Sequence, residues 1–356
     1  MRPQSEEELA ALIREARAPL TPVGGATRLQ PGEGQGMRLD LSALSGVRLY
    51  EPEALTLVVG AGTTLAGIEK VLAAEGQMLA FEPDRRQDST IGGIAAANAS
   101  GPRRVQVGAC RDAMLGVRFV TGEGEIVKNG GRVMKNVTGY DLVKLLAGSR
   151  GTLGVLTEVS LKTAPIPPVS RTLVLAGATP DVAVAALTSA LTGPYDISGA
   201  GWLAGTGAMI RVEGLKGSVD LRSQQLAARL ADFGTLSEGD GAHWAGLVPA
   251  SAGAGDDAGD LWRIVCLPSE APALLARLPA PLALDWGGSL IWVAMPAGRI
   301  PDLGPFSGQA SRVHAQPGAQ ALQLPAINPV VAGLNAGLRA KFDPRGIFAG
   351  AAGKAA

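Results

Sequence analysis

Three stretches of this 356-residue chain combine small residues and hydroxyls in patterns that suit a long, flat, phosphorylated ligand. The first is Gly24-Gly25-Ala26-Thr27. A pyrophosphate carries two negative charges, and a backbone turn holds it only where side chains stay clear and several N–H groups converge. Thr27 adds a hydroxyl donor there, and Arg28 either offers a charge or points to solvent. The same residues also suit an ordinary Gly-Gly turn between strands. The second stretch runs from Pro83-Asp84 through Ser89-Thr90-Ile91-Gly92-Gly93-Ile94-Ala95-Ala96-Ala97-Asn98-Ala99-Ser100-Gly101. It lets a flat ligand lie against the backbone, with Ser89, Thr90 and Asn98 as polar anchors, or it forms a tightly packed Ala/Gly helix. The third joins Asn136-Val137-Thr138-Gly139-Tyr140-Asp141-Leu142 to Gly148-Ser149-Arg150-Gly151-Thr152-Leu153-Gly154-Val155. A helix C-cap accounts for Gly148 but not for Gly151 and Gly154, which demand unusual backbone geometry just before a strand.

A fourth candidate fails. Gly60-Ala61-Gly62 follows a strand and precedes a helix, as in a Rossmann GxGxxG turn, but Leu65 stands at the third glycine position. No acidic residue closes a following strand about 20 residues on.

The elements that must position these stretches follow from patterning. Glu6 to Glu8 open an amphipathic helix, and short strands follow at Pro19 to Val23, Met37 to Leu41 and Val47 to Tyr50. Leu55 to Val59 is a strongly apolar strand. Thr63 is expected to cap a helix whose Leu65, Ile68, Val71 and Leu72 share one face. From Met114 to Lys128, LGVRFVTGEGEIV predicts a β-hairpin through Gly122-Glu123-Gly124. Tyr140 to Ala147 reads as a helix stopped by Gly148, and Val155 to Lys162 as a strand running into Pro165, Pro167 and Pro168.

A domain boundary is expected there. Beyond it, strands at Thr172 to Leu175, Ala208 to Val212, Leu261 to Cys266 and Leu290 to Ala294 alternate with helices near Pro180 to Leu191 and Ser218 to Leu230. This predicts a separate α+β domain with an antiparallel sheet. Ser251 to Asp260 and Gly298 to Gln323 read as loose, and Val331 to Phe342 as a last helix.

Composition excludes several classes of function. Lys plus Arg and Asp plus Glu both number 32, so no overall field attracts nucleic acid or anionic lipid. Cys110 and Cys266 are far apart without CxxC spacing, which suits a reducing compartment and offers no zinc or iron–sulfur site. The acidic N-terminus is no signal peptide, and no apolar run reaches about 18 residues, the length that spans a bilayer. A cytoplasmic protein is expected.

Taken in order, the three small-residue stretches resemble the FAD-binding domain of the vanillyl-alcohol oxidase, or PCMH-type, flavoprotein family. Within it, Glu-Pro-Asp at Glu82, Gly-Pro-Arg-Arg at Gly101, VMKNVTGYDL at Val133 and GSRGTLGVLTE at Gly148 are similar to the family of E subunits of bacterial glycolate oxidases. The tail LRAKFDPRGIF from Leu338 to Phe348 also resembles the family's closing helix and turn. The resemblance covers roughly residues 20 to 165 and 325 to 348.

It implies an α+β fold in which residues 1–167 form a two-subdomain FAD-binding domain. Residues 168–323 would form a smaller cap-like α+β domain, and residues 324–356 would return to the first domain. It places non-covalent FAD against Val23, Gly24, Gly25, Ala26, Thr27, Arg28 and Leu29. Further contacts fall on Pro83, Ser89, Thr90, Gly92, Gly93, Ala96, Asn98, Gly101 and Arg103, and then on Gly151, Gly154 and Val155. The family usually has asparagine at Ile94, glycine at Ser100, an acidic residue at Arg150 and Asn-Pro-Gly after Phe348, where this chain reads Ala349-Gly350.

Oxidising a 2-hydroxy acid needs a base for the hydroxyl proton, a cation for the carboxylate and a hydride acceptor. The chain has only His243 and His314, so the histidine cluster expected of catalytic relatives is missing, and no catalytic residue or metal ligand is assigned. With no histidine before residue 243, a histidyl flavin link near the glycine turn is excluded.

The resemblance therefore implies an FAD-binding subunit of a glycolate-oxidising complex. It would work beside a catalytic flavoprotein subunit and an iron–sulfur subunit, and any membrane association would come through those partners. Two other readings stay open: a self-contained dehydrogenase using Tyr140, Arg103 or Arg104, and a scaffold that has lost its flavin.

Overall fold

A computed structural model describes residues 1–30, 33–132, 139–249, 259–315 and 328–348. The chain divides into two compact units. The first holds Met1–Ser100, Ala109–Ile166 and the C-terminal residues 328–348; the second holds Gly101–Gly108 and the chain from Pro167 onward to residue 315.

In the first unit, the Ser5 hydroxyl accepts from the Glu8 N–H at 3.2 Å. That cap, with three glutamates in the first turn, starts the helix Glu6–Glu15, whose Leu9, Ala10 and Ile13 are buried. They pack with Leu20, Leu39, Ile347 and Phe348 in a small core. Beside it, the strands Leu20–Val23 and Met37–Asp40 pair in parallel.

The main sheet has five antiparallel strands in the order Val47–Glu51, Thr56–Gly60, Val155–Lys162, Met114–Val120 and Ile126–Gly130. Its second strand is buried along its whole length, and its third is buried except at Glu158 and Lys162. Leu57, Val59, Phe119, Val159 and Leu161 form the larger core with Ile68 and Leu72 of the helix Leu65–Ala74, Ile91 and Ile94 of the helix Ile91–Ala97, and Leu146. Fully burying each of these leucines and isoleucines is worth roughly 1.5–3 kcal/mol. The C-terminal helix Pro329–Phe342 is held chiefly at its end, where the Phe342 ring lies 6.1 Å from that of Phe119.

Two local expectations change. Thr64, not Thr63, caps the helix Leu65–Ala74, accepting from the Gly67 N–H at 3.2 Å. Thr63 instead donates to the Gly60 carbonyl at 2.6 Å and so closes the turn before the helix. The polypeptide from 133 to 138, including Asn136-Val137-Thr138, lies outside the described residues.

The second unit is built on eight antiparallel strands. Their order is Leu236–Gly239, Val169–Ala176, Gly207–Gly214, Ile197–Leu203, Ala283–Asp285, Leu290–Met295, Asp260–Val265 and Gln309–His314. The helices Pro180–Leu191 and Lys216–Arg229 cover one face. Gln309–His314 falls in the stretch read as loose; its buried Arg312 pairs with Asp260 at 3.1 Å, which anchors it as an edge strand. The sequence 316–327 and most of 251–260 lie outside the described residues. Ile197–Leu203 was not foreseen because Gly199 and Gly201 break its pattern. A Cβ on them would stand 2.8 Å from the Trp244 ring and 2.7 Å from Leu247, so close packing selects glycine there.

Candidate dinucleotide site

The three small-residue stretches meet in the first unit. The segment Ser89–Gly92 is fastened to residues 61–65: Leu65 donates to the Ser89 carbonyl at 2.8 Å, Ile91 to Thr63 at 2.9 Å, and Gly92 to Ala61 at 2.8 Å. Thr90 then caps the helix Ile91–Ala97. At that helix's other end, Gly148 N–H donates to the Ala95 carbonyl at 3.1 Å and Arg150 N–H to the Ala96 carbonyl at 2.9 Å. The turn at Gly24 closes the triangle. A Cβ on Gly24 would overlap the Thr90 side chain, and one on Gly25 the Asp88 carbonyl.

Two adjoining clefts open between these pieces. The first is lined by Val23, Gly24, Gly25, Ala26, Thr27, Arg28 and Leu29, with Glu33, Gly93 and Ala97. The second is lined by Leu41, Ala61, Gly92, Gly151, Gly154, Val155 and Leu156. Pro22, Gly24, Thr90, Gly93, Ala96 and Arg150 line both. A Cβ on Gly93 would meet nothing closer than the Thr90 hydroxyl at 3.5 Å. Backbone and small side chains thus make up most of the walls, as a diphosphate-linked ligand requires.

Charged side chains fix the turn. Asp84 accepts from Arg28 Nη1 at 2.5 Å and also pairs with Arg86, while Arg28 Nη2 donates to the Asp84 carbonyl at 2.8 Å. Arg86 Nη1 reaches the Thr27 carbonyl at 2.8 Å. Burial pushes the Asp84 carboxyl upward, but Arg28 and Arg86 outweigh it and hold it below the usual carboxylate range. Burial likewise pulls the Arg28 guanidinium down, opposed by Asp84. Arg150 donates to Glu33 Oε1 at 2.6 Å and Oε2 at 2.5 Å, and to the Arg28 carbonyl at 2.6 Å.

The remaining residues named from sequence stand elsewhere. Pro83 is buried beside Asp84. Ser89 is buried, and its hydroxyl has no hydrogen-bond partner among the described residues. Asn98, in the left-handed region at φ 48°, accepts from the Arg111 N–H at 2.9 Å. Neither Ser89 nor Asn98 lines a cleft.

Gly101 and Arg103 belong to the second unit. The Gly101 carbonyl accepts from Trp286 Nε1 at 3.0 Å, and Arg103 forms a buried fork with Glu213. Burial raises the Glu213 carboxyl; hydrogen bonds from Ser198 and Arg103 more than reverse it. Sequence reading missed Glu33 and gave Arg150 no role. Arg150 was marked only by an acidic residue usually standing in its place, and Glu33 lies 117 positions away from its partner with no local motif.

Comparison with known proteins bears on this site. The profile of the FAD binding domain family matches residues 1–130. The glycolate oxidase subunit GlcE of Escherichia coli (strain K12) is 35% identical over 325 residues, covering 88% of this chain and 86% of that protein. The chain belongs to the GlcE family of PCMH-type FAD-binding proteins.

The glycolate oxidase subunit GlcD of Bacillus subtilis (strain 168) is 33% identical over 178 residues, 48% of this chain and 38% of that one. A solved structure of alkyldihydroxyacetonephosphate synthase shares the fold, with a TM-score of 0.68 at 16% identity over 98% of this chain and 76% of that one. The cofactor of the family is FAD, and the clefts of the first unit fit it. Apart from Arg150, their shared wall is made of small residues, and Gly93 leaves open the space a side chain would fill. No helix among the described residues is long and apolar enough to cross a membrane.

Proposed function

We propose that this chain is the FAD-binding subunit of a glycolate oxidase complex that converts glycolate, or a related 2-hydroxy acid, to its 2-oxo acid. Its partners would be a GlcD-type catalytic flavoprotein subunit and an iron–sulfur subunit. The observation that carries the reading is the pair of clefts walled by the turn at Gly24, the helix Ile91–Ala97 and Gly151–Gly154, in a chain matched along most of its length by a glycolate oxidase subunit.

FAD, when bound, accepts a hydride from the substrate carbon. This chain's own residues hold the cofactor: the turn presents backbone N–H groups, and Thr90, Gly93 and Ala96 leave room for it. Arg86 and Asp84 keep the turn closed. The chain's two histidines, His243 and His314, both lie in the second unit and outside the clefts. That supports a division of labour in which the partner flavoprotein supplies the proton-abstracting base.

The test is to purify the chain alone and with its GlcD-type partner, record the flavin absorbance of each, and add glycolate. FAD bound to this chain, with glycolate bleaching it only in the complex, is expected. Bleaching in the isolated chain at the rate of the complex would instead make it a self-contained dehydrogenase.

A further inference from the structure

We infer that Arg150 is the cation that positions the cofactor's diphosphate, a role that rests on the FAD reading above. Of the residues common to both clefts, Arg150 alone is charged; the others are Pro22, Gly24, Thr90, Gly93 and Ala96. A dinucleotide consists of two bulky halves joined by a diphosphate. The wall shared by two adjoining clefts is therefore the place for its two negative charges.

Arg150 is built into that shared wall. Its backbone lies in the left-handed region at φ 54°, unusual for a residue other than glycine, and is held there by the 2.9 Å bond from its N–H to Ala96. Its Nε and Nη2 are engaged with Glu33 and the Arg28 carbonyl. Its Nη1 makes no hydrogen bond with any described residue, which leaves donors for a phosphate oxygen in a planar, pre-aligned guanidinium.

Arg28 is differently employed. Both its Nη atoms are committed to Asp84 and only its buried Nε has no partner among the described residues, so it chiefly shapes the turn and lines the first cleft alone, whereas Arg150 reaches both. Glu33 aligns Arg150 and, being an anion on the wall of the first cleft, also competes with a diphosphate for it.

The experiment titrates the full-length apoprotein with FAD, following flavin fluorescence, for the parent and the variants Arg150→Gln, Arg150→Lys and Glu33→Gln. Riboflavin, which has no phosphate, is the second probe. Losing a hydrogen bond to a charged group corresponds to a loss of about ten- to hundredfold in affinity. Arg150→Gln is expected to weaken FAD by that factor and leave riboflavin unchanged, with Arg150→Lys recovering part of the loss. The salt dependence of FAD binding should become shallower in Arg150→Gln. Glu33→Gln is expected to bind FAD at least as tightly as the parent.

If Arg150→Gln binds FAD within twofold of the parent, or loses FAD and riboflavin equally, the assignment is overturned. If Glu33→Gln weakens FAD as much as Arg150→Gln, Arg150 only fastens the loop, and the assignment also falls. Should Arg150→Gln fail to fold, the Glu33→Gln result decides alone. A parent that binds no FAD would remove the cofactor reading itself, an outcome distinct from either of these.

Discussion

Glycines 25 and 93 line the same cleft but answer different demands. The Gly25 Cβ position is taken by the Asp88 carbonyl, so that glycine serves packing. The Gly93 Cβ position faces the cleft without a clash, so on the proposed reading that glycine makes room for the ligand. Alanine scanning should therefore give opposite signs. Gly25→Ala is expected to lower the melting temperature by several degrees, because backbone must move. Gly93→Ala sits in a helix interior, where alanine is favoured by about 0.5–1 kcal/mol, and should leave the apoprotein's melting temperature unchanged or higher while weakening FAD. Equal melting temperatures for the two variants would contradict this assignment.

Asp84 yields a pH prediction. Its carboxyl is depressed in the folded state, so its contribution to stability is fully present above the unfolded value, about 3.9, and disappears as pH falls below that. Asp84→Asn should cost about 3–5 kcal/mol near neutrality by stranding Arg28. Urea titrations should show the parent's advantage shrinking below about pH 4. A difference that stays constant down to acid pH would place Asp84 outside this linkage.

At the scale of elements, strong periodicity made most of the framework legible. The opening helix, the hairpin at Thr121 to Glu125 and the helix Pro180–Leu191 all follow from caps, alternation or a proline at the first turn. Of the strands that escaped, Leu236–Gly239 and Gln309–His314 are edge strands whose pairing partners are distant in sequence, which no local signal carries, whereas in Ile197–Leu203 the two packing glycines interrupt the pattern. The site divides the same way. The turn at Gly24 was legible because a cleft walled by backbone needs small residues close together in sequence. The Arg150–Glu33 fork was not, because it depends on how two loops fold together.

Asp343, after the C-terminal helix, fixes the tail through two backbone groups close to it in sequence. Its carboxylate accepts from the Ile347 N–H at 2.9 Å and the Phe348 N–H at 2.8 Å, seating both side chains in the small core. Asp343→Ala leaves two buried donors unpaired, at about 1–3 kcal/mol each. It should lower the urea midpoint with no change in slope. A change below about 0.5 kcal/mol would mean that the tail contributes little to the first unit.

For the molecule as a whole, the question is how it keeps its flavin. A covalent link requires a nucleophile, and the first unit offers no histidine, since none occurs before residue 243. Its one cysteine, Cys110, is completely buried, and burial pushes its thiol up to about 12. The thiolate is the attacking form, so Cys110 is inert near neutral pH. With histidine and cysteine set aside, the proposed site would retain the flavin through the clefts, by backbone donors, the Arg150 cation and the closed turn. Denaturing the purified flavoprotein with acid and centrifuging it should leave all the flavin in the supernatant, with the spectrum and mobility of intact FAD. The polypeptide band on a denaturing gel should show no flavin fluorescence. Fluorescence that stayed with the band, and vanished in Cys110→Ser, would show instead that the folded chain lowers that thiol enough to form a bond.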